Sequence, residues 1–348
     1  MSFTFILYAL LTALIIGFLA FIHEFGHFFF ARLFNVPVLE FAVGMGPTLY
    51  SWKGKTGTKY ALRAFPIGGF VQMEGEEGTS ENPNAYNNLN PWKKIAVTAA
   101  GPAVNIIFAI ILMFALVLSS PELGSTTIGQ FDDNSVSSSY LQLKDEIVKV
   151  GDVKVHTWSE VVYEITMQGY QAIDITVIRD GKKIVVEDVI FNVVSESGLE
   201  VGVADFIPYA LSALDDVTIF DYLYQAFYRS INTVKTVFDS LGLIISGRAG
   251  MDAVSGPVGL VGAVDQVASY GFASLVNFVV LISMNLGIFN LLPVPALDGG
   301  RILFHLIDGI AGKKVIKKEI EDTITGVTMI LLLAFMLFVS VKDVINLF

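Results

Sequence analysis

Four stretches of this chain are long, apolar and free of charged side chains: Met1 to Ile22, Ile95 to Leu118, Ala273 to Leu297 and Ile324 to Val341. About 20 predominantly apolar residues is the length at which an α-helix crosses the hydrocarbon core of a bilayer. A helix can do so because it satisfies its own backbone hydrogen bonds, which lipid cannot. The sequence therefore predicts a polytopic α-helical membrane protein with four transmembrane helices. Charge supports this: only 16% of the 348 residues are charged, against about 25% in soluble domains. The first stretch has no basic residue before Arg32, so it lacks the basic start of a secretory signal and reads as a retained span.

Arg32, Lys53, Lys55, Lys59, Arg63, Lys93 and Lys94 cluster after the first span, and Arg301, Lys313, Lys314, Lys317 and Lys318 cluster after the third. By the positive-inside rule these clusters face the cytoplasm and the N-terminus lies outside. The expected order is a first span over 1–34, a cytoplasmic segment over 35–94, a second span over 95–121 and an outer domain over 122–204. An amphipathic helix and linker over 205–272, a third span over 273–300, a cytoplasmic loop over 301–323 and a fourth span over 324–348 complete it. A net charge of −11 argues against a nucleic-acid partner, since phosphate binding needs a basic face. Cysteine is absent, so no disulfide forms and any metal has to be held by His, Asp or Glu.

Within 35–94, two Gly-rich apolar patches, Gly44-Met45-Gly46-Pro47 and Phe65-Pro66-Ile67-Gly68-Gly69-Phe70-Val71, sit beside the β-prone runs Val38 to Val43 and Lys59 to Phe65. They predict a small sheet. The acidic, Asn-rich stretch Glu74 to Asn90 reads as a mobile tail. In the outer domain, alternation over Ile173 to Ile178 and the turn Arg179-Asp180-Gly181-Lys182 predict a compact αβ fold, with a plain spacer as the alternative. Leu143 to Asp152 and the helix-like Trp158 to Met167 follow a PDZ-like pattern, a fold with a strand edge open to peptides. Phe220, Leu223, Phe227, Ile231, Val234, Phe238 and Leu241 then fall on one face of a helix, suited to a membrane surface or to the outer domain.

The chemistry gathers at the end of the first span, where His23-Glu24-Phe25-Gly26-His27 matches H-E-x-x-H. On a helix, positions i and i+4 share a face, so both imidazoles can hold one Zn²⁺ while Glu24 takes a proton from the attacking water. Ionisable groups at membrane depth are costly and are retained for function. Capping a span with interfacial polar residues is the bland alternative. A catalytic zinc needs a third ligand. The candidate is Asp298, which follows an uncharged span at the same expected depth; His305, two helical turns on, competes with it. His156 falls in the outer domain and reads as a surface residue.

These motifs resemble the site-2 proteases, and in particular the single-PDZ enzymes of Gram-positive bacteria. The likeness rests on H-E-F-G-H at 23–27, G-M-G-P at 44–47, F-P-I-G-G-F-V at 65–71, A-G-P-A-V-N at 100–105, S-G-P-V-G at 255–259 and N-L-L-P-V-P-A-L-D-G-G at 290–300. It implies an intramembrane zinc metalloendopeptidase of a bacterial plasma membrane, with zinc on His23, His27 and Asp298 and Glu24 as general base. It also implies that Asn285, Asn290, Pro293 and Pro295 help hold substrate and that Gly44, Met45 and Gly46 form a re-entrant β-loop receiving it. Asn105 would be costly against lipid and is expected to face inward. The expected partners are the bilayer and single-span proteins such as membrane-bound anti-sigma factors or remnant signal peptides. An inactive adaptor that binds helices in the same groove is the alternative from another class. A metal transporter would spread polar residues through its spans, whereas here they cluster at one boundary.

Overall fold

Long runs of Leu, Ile, Val and Phe without a helix breaker leave little choice but continuous helix, and the computed structural model of the chain, which describes residues 3–76, 78–196, 199–213, 216–250 and 254–346, is built on four such helices. They are α1 (Phe3–Leu33), α2 (Pro91–Leu118), α6 (Phe272–Leu291) and α8 (Lys318–Asn346). All four have the length and composition to cross a membrane. α1 leaves Leu7, Leu10, Leu14 and Phe18 about half exposed, an apolar stripe at helical spacing that suits lipid as its solvent. The chain divides into two units, one made of residues up to 109 and from 255 onward, the other of residues 110–254.

In the first unit, β1 (Val38–Lys53) and β2 (Lys59–Met73) form one long antiparallel hairpin. It folds back on itself at two bends. Thr48 to Lys53 pairs with Lys59 to Arg63, while Glu40 to Val43 pairs antiparallel with Gly69 to Gln72. Glu40 to Val43 also runs beside Lys59 to Leu62 with partner numbers rising together. Gly44, Gly46 and Gly68 sit at the bends with φ between 76° and 86°, a region that glycine enters without steric cost. Each arm is longer than the β-prone runs in the sequence, because the bends continue the pairing.

Of the stretch Glu74 to Asn90, expected to be a mobile tail, the described residues 74–76 and 78–90 are held by their own polar side chains. Ser80 and Asn82 donate to the two oxygens of Glu74 at 2.6 and 3.0 Å, and Asn88 donates to the Ser80 and Asn82 carbonyls at 2.8 Å. A short 3-10 turn over Tyr86–Asn88 follows, with Ala85 and Tyr86 buried. Such local side-chain bonds replace the backbone ladder that this segment lacks.

Two further helices complete the first unit, one within the expected linker and one, already implied by setting His305 two helical turns beyond Asp298, within the expected cytoplasmic loop. α5 (Pro257–Ser269) starts at the S-G-P-V-G run and packs against α1, α6 and α8. Its first turn is held by the buried carboxylate of Asp343 in α8, which accepts from Gly256 N and Gly259 N at 2.7 and 2.8 Å. That placement satisfies free N–H groups and the positive end of the helix dipole together. α7 (Asp298–Ala311) occupies much of the expected loop 301–323. The third span does not run to 300: α6 stops at Leu291, and residues 292–297 are non-helical. Pro293 and Pro295 bring no N–H to a helix and push the residue before them toward extended backbone.

The second unit holds a sheet in the order β10-β3-β4-β6-β7, from β3 (Gly124–Phe131), β4 (Glu146–Val150), β6 (Ile173–Arg179), β7 (Lys182–Val189) and β10 (Phe206–Ala210). β5 (Val153–Lys154) pairs with β4, and β8 (Asn192–Glu196) with β9 (Leu199–Val203). α3 (Trp158–Gln168) begins with a capping box of Thr157 and Glu160. Ile128, Leu141, Ile147, Ile165, Ile175, Val177 and Phe206 form the core. Because β10 pairs with β3, the αβ domain extends past 204 to 210. α4 (Ile219–Ile245) follows, with Phe220, Leu223, Phe227, Ile231 and Phe238 exposed on its apolar face.

Candidate metal centre

α1 carries His23, Glu24 and His27 on unbroken helix. The Nδ1 of His27 lies 2.9 Å from the carbonyl of Val97 and donates to it, which leaves the Nε2 lone pair free. His23 Nδ1 lies 3.3 Å from the side-chain amide of Asn105, a fully buried residue. The structure turns Asn105 Nδ2 toward this atom and leaves Oδ1 unpartnered; a half-turn of the amide about its Cβ–Cγ bond would bring Oδ1 to the Nδ1–H that a histidine offering Nε2 to a metal carries. Ser283 Oγ in α6 donates to the Asn105 carbonyl at 2.9 Å, fixing the helix turn that presents this amide.

The two Nε2 atoms are 3.2 Å apart, and the Asp298 Oδ2 lies 3.0 Å from His23 Nε2 and 3.4 Å from His27 Nε2. Among the described residues, these three form the one cluster with metal-ligand spacing. Asp298 Oδ2 is buried without a well-oriented hydrogen-bond donor, although two imidazole nitrogens stand beside it. Three converging lone pairs repel one another unless a cation sits between them. Zinc bonds of about 2.0–2.2 Å in tetrahedral array separate ligands by roughly 3.3 Å, so the residues present fit the ion.

Glycines let the helices come close enough for this. A Cβ on Gly101 would meet His23 Nε2 at 2.9 Å and collide with the His27 ring, and one on Gly26 would meet Gly101 Cα at 2.9 Å. The Gly in H-E-F-G-H and the Gly in A-G-P-A-V-N therefore face each other. At the start of α7, a Cβ on Gly300 would press into the backbone of Pro295, with Pro295 N at 2.7 Å. L-D-G-G thus packs tightly against the break that precedes it.

Glu24 lies beside the edge of β2, where Val71 N donates to its Oε2 at 3.1 Å. A Cβ on Gly69 would press on the Ala42 carbonyl oxygen at 2.9 Å while only touching Glu24 Cγ at 3.4 Å, so this glycine serves the close pairing of the strands. A cavity of about 690 Å³ joins His23, Glu24, His27 and Asp298 to Asn290, Arg63 and Arg301. Of the residues expected to hold substrate, Asn290 lines this cavity, whereas Asn285, Pro293, Pro295, Gly44, Met45 and Gly46 do not. Met45 is instead 55% exposed at the hairpin bend. Pro293 and Pro295 lie in the helix break.

His305 is not with this cluster: its Nε2 lies 3.0 Å from the hydroxyl of Tyr86. Burial, with Lys94 and Arg301 adding to it, pushes its pKa down to about 4. His156 stacks on Tyr228 with ring centroids 3.9 Å apart. Glu76, Tyr86 and Arg301 also line the cavity and were not singled out by the sequence. Arg301 reads there as one more basic residue after a span, and the other two lie in a segment judged by composition.

Residues 11–335 match peptidase family M50. A Clostridium acetobutylicum protein that carries the name of a candidate zinc metalloprotease is 36% identical over 332 residues, covering 94% of this chain and 95% of that one. The zinc metalloprotease RasP of Shouchella clausii is 27% identical, covering 95% and 97%. The regulator of sigma-W protease RasP of Bacillus subtilis is also 27% identical, covering 96% and 97%. Near full-length similarity, four membrane-type helices and the convergence of the H-E-x-x-H pair on a distant carboxylate lead to one assignment: this chain belongs to peptidase family M50 and is a zinc metalloprotease of the site-2 type.

Proposed function

We propose that this enzyme cuts transmembrane segments of single-span proteins at a zinc held by His23, His27 and Asp298, with Glu24 as general base. The observation that carries the reading is the approach of Asp298 Oδ2 to both Nε2 atoms, 3.0 and 3.4 Å away. When bound there, zinc supplies a Lewis acid that acidifies water and polarises a carbonyl. Val97 and Asn105 orient the two imidazoles. Glu24, adjacent to both histidines and open to the cavity, takes the proton of the attacking water on a carboxylate oxygen and delivers it to the leaving amine.

A transmembrane helix hides its peptide bonds in its own hydrogen bonds, so the substrate has to open before it is cut. The hairpin supports a docking role, since its Gly69 to Met73 arm runs beside Glu24 and an exposed strand edge can take up an extended chain. Asn290, on the cavity wall, offers its amide oxygen to a freed backbone N–H while its Nδ2 is used by Leu286 O at 2.9 Å. The roles inferred for Gly44, Met45, Gly46, Pro293 and Pro295 in holding substrate remain part of this reading through the hairpin bend and the helix break they shape, and that of Asn285 through its place inside α6.

The similarity to the regulator of sigma-W protease of B. subtilis supports membrane-bound anti-sigma factors as one substrate class, with remnant signal peptides as another. On the topology given by the basic clusters, the metal centre lies near the cytoplasmic side of a bacterial plasma membrane, and the PDZ-like αβ domain lies outside and admits substrates already trimmed there. The test is the Glu24→Gln variant in proteoliposomes with a model single-span substrate. Zinc stays at one per chain and cleavage falls by about 10²–10⁴-fold, the usual worth of a general base; unchanged cleavage would remove Glu24 from the mechanism.

A further inference from the structure

Asp298, Arg301 and His305 stand at i, i+3 and i+7 of α7 and so share one face. Behind Asp298 the chain is non-helical over 292–297, so the helix is not positioned by continuity with α6. Its ligand-bearing face is gripped from outside at two points, both by the segment 74–90.

The first grip is Glu76. Its Oε1 accepts from Arg301 Nη1 at 2.7 Å, and its Oε2 accepts from Met73 N at 3.3 Å. One carboxylate thereby spans from the end of β2 to α7. The second grip is Tyr86, whose hydroxyl lies 3.0 Å from His305 Nε2 and 2.9 Å from Thr98 Oγ1. Thr98 follows Val97, whose carbonyl holds His27. A single turn of α2 therefore fixes an imidazole directly and α7 through Tyr86. A hydroxyl has one proton, so the chain runs from Thr98 through Tyr86 to His305 or the reverse, according to which imidazole nitrogen carries the proton. Tyr86 is 7% exposed, and a phenol buried to that degree would be costly if its hydroxyl were unpaired.

We infer that Glu76 and Tyr86 are positioning residues that set where α7 places Asp298 against His23 and His27, and so tune metal affinity without touching the metal. The inference rests on Asp298 being a ligand. Outer partners of metal ligands are typically worth 10–100-fold in affinity, and here the partner acts on the helix that carries the ligand.

The experiment measures zinc dissociation constants of the full-length protein in detergent, by competition with a chromogenic chelator, for Glu76→Gln, Tyr86→Phe, His305→Gln and Tyr86→Phe/His305→Gln, with Asp298→Ala as reference. Asp298→Ala loses zinc. Tyr86→Phe and Glu76→Gln each weaken zinc by about 10–100-fold, and the double variant is no weaker than Tyr86→Phe because both changes break one contact. In the Co²⁺-substituted protein the visible absorption bands shift in Tyr86→Phe, which general loosening of the fold would not cause. Metal-free thermal midpoints are read alongside: Tyr86→Phe leaves Thr98 and His305 each short of one hydrogen bond, so its midpoint falls by a few degrees and the protein stays folded at the temperature of the zinc measurement. Wild-type zinc affinity and unshifted cobalt bands in Tyr86→Phe and Glu76→Gln, with zinc lost from Asp298→Ala, would overturn the inference. Full zinc affinity in Asp298→Ala would instead overturn the ligand assignment on which it rests.

Discussion

The two histidines and the carboxylate reach the same point by opposite means. His23 and His27 sit one turn apart on α1, a continuous helix of 31 residues, and the 1.5 Å rise and 100° turn per residue alone bring their rings together. Asp298 opens a separate helix after a proline-broken stretch, and tertiary contacts have to hold it. The contrast teaches that half of this centre is written in local geometry and half in packing.

The strongest way to break the comparison is to insert one alanine after Phe25. It turns His27 about 100° off the face of His23, so zinc per chain, read by atomic absorption, falls to background and cleavage disappears. Retained zinc would mean that α1 is not the rigid half. Next in size is Gly101→Ala, whose new methyl meets both imidazoles. Overpacking of this kind costs typically about 1–3 kcal/mol, and at a ligand it should also cut cleavage at least about 100-fold by pushing a ring out of line. A smaller effect is expected from Asn105→Ala, which removes the side-chain amide facing His23 Nδ1 and should weaken zinc by about 10–100-fold in chelator competition. Smallest is Phe25→Ala. This side chain lies between the two histidines in sequence but is 43% exposed, so zinc affinity should change by less than about twofold, the expectation for a substitution away from named interactions; a larger loss would show that α1 too needs packing to hold its pair.

What the sequence made legible follows the same division. H-E-x-x-H announces itself because its geometry is periodic, and Asp298 stood out as a carboxylate next to an uncharged span. The helix break before it was missed because hydropathy carries on through Pro293 and Pro295 although neither can serve a helix interior. β10 was left outside the αβ domain because its partner β3 lies some 75 residues earlier in the chain, beyond any local pattern. Tyr86 and Glu76 went unnoticed because Asn-rich composition signals disorder on average, while here Ser80, Asn82 and Asn88 happen to find specific partners.

The hydrogen bond from Val71 to Glu24 has a further consequence. Side groups and backbone N–H groups alternate along a strand, and on the outer edge of β2 the Val71 and Met73 donors are already occupied by Glu24 and Glu76. A guest polypeptide laid along that edge must displace a carboxylate at each of these two residues. On the proposed reading of Glu24 as general base, a guest that claims the Val71 amide also frees the carboxylate that takes the proton of the attacking water, and without a guest that carboxylate stays bound to the strand.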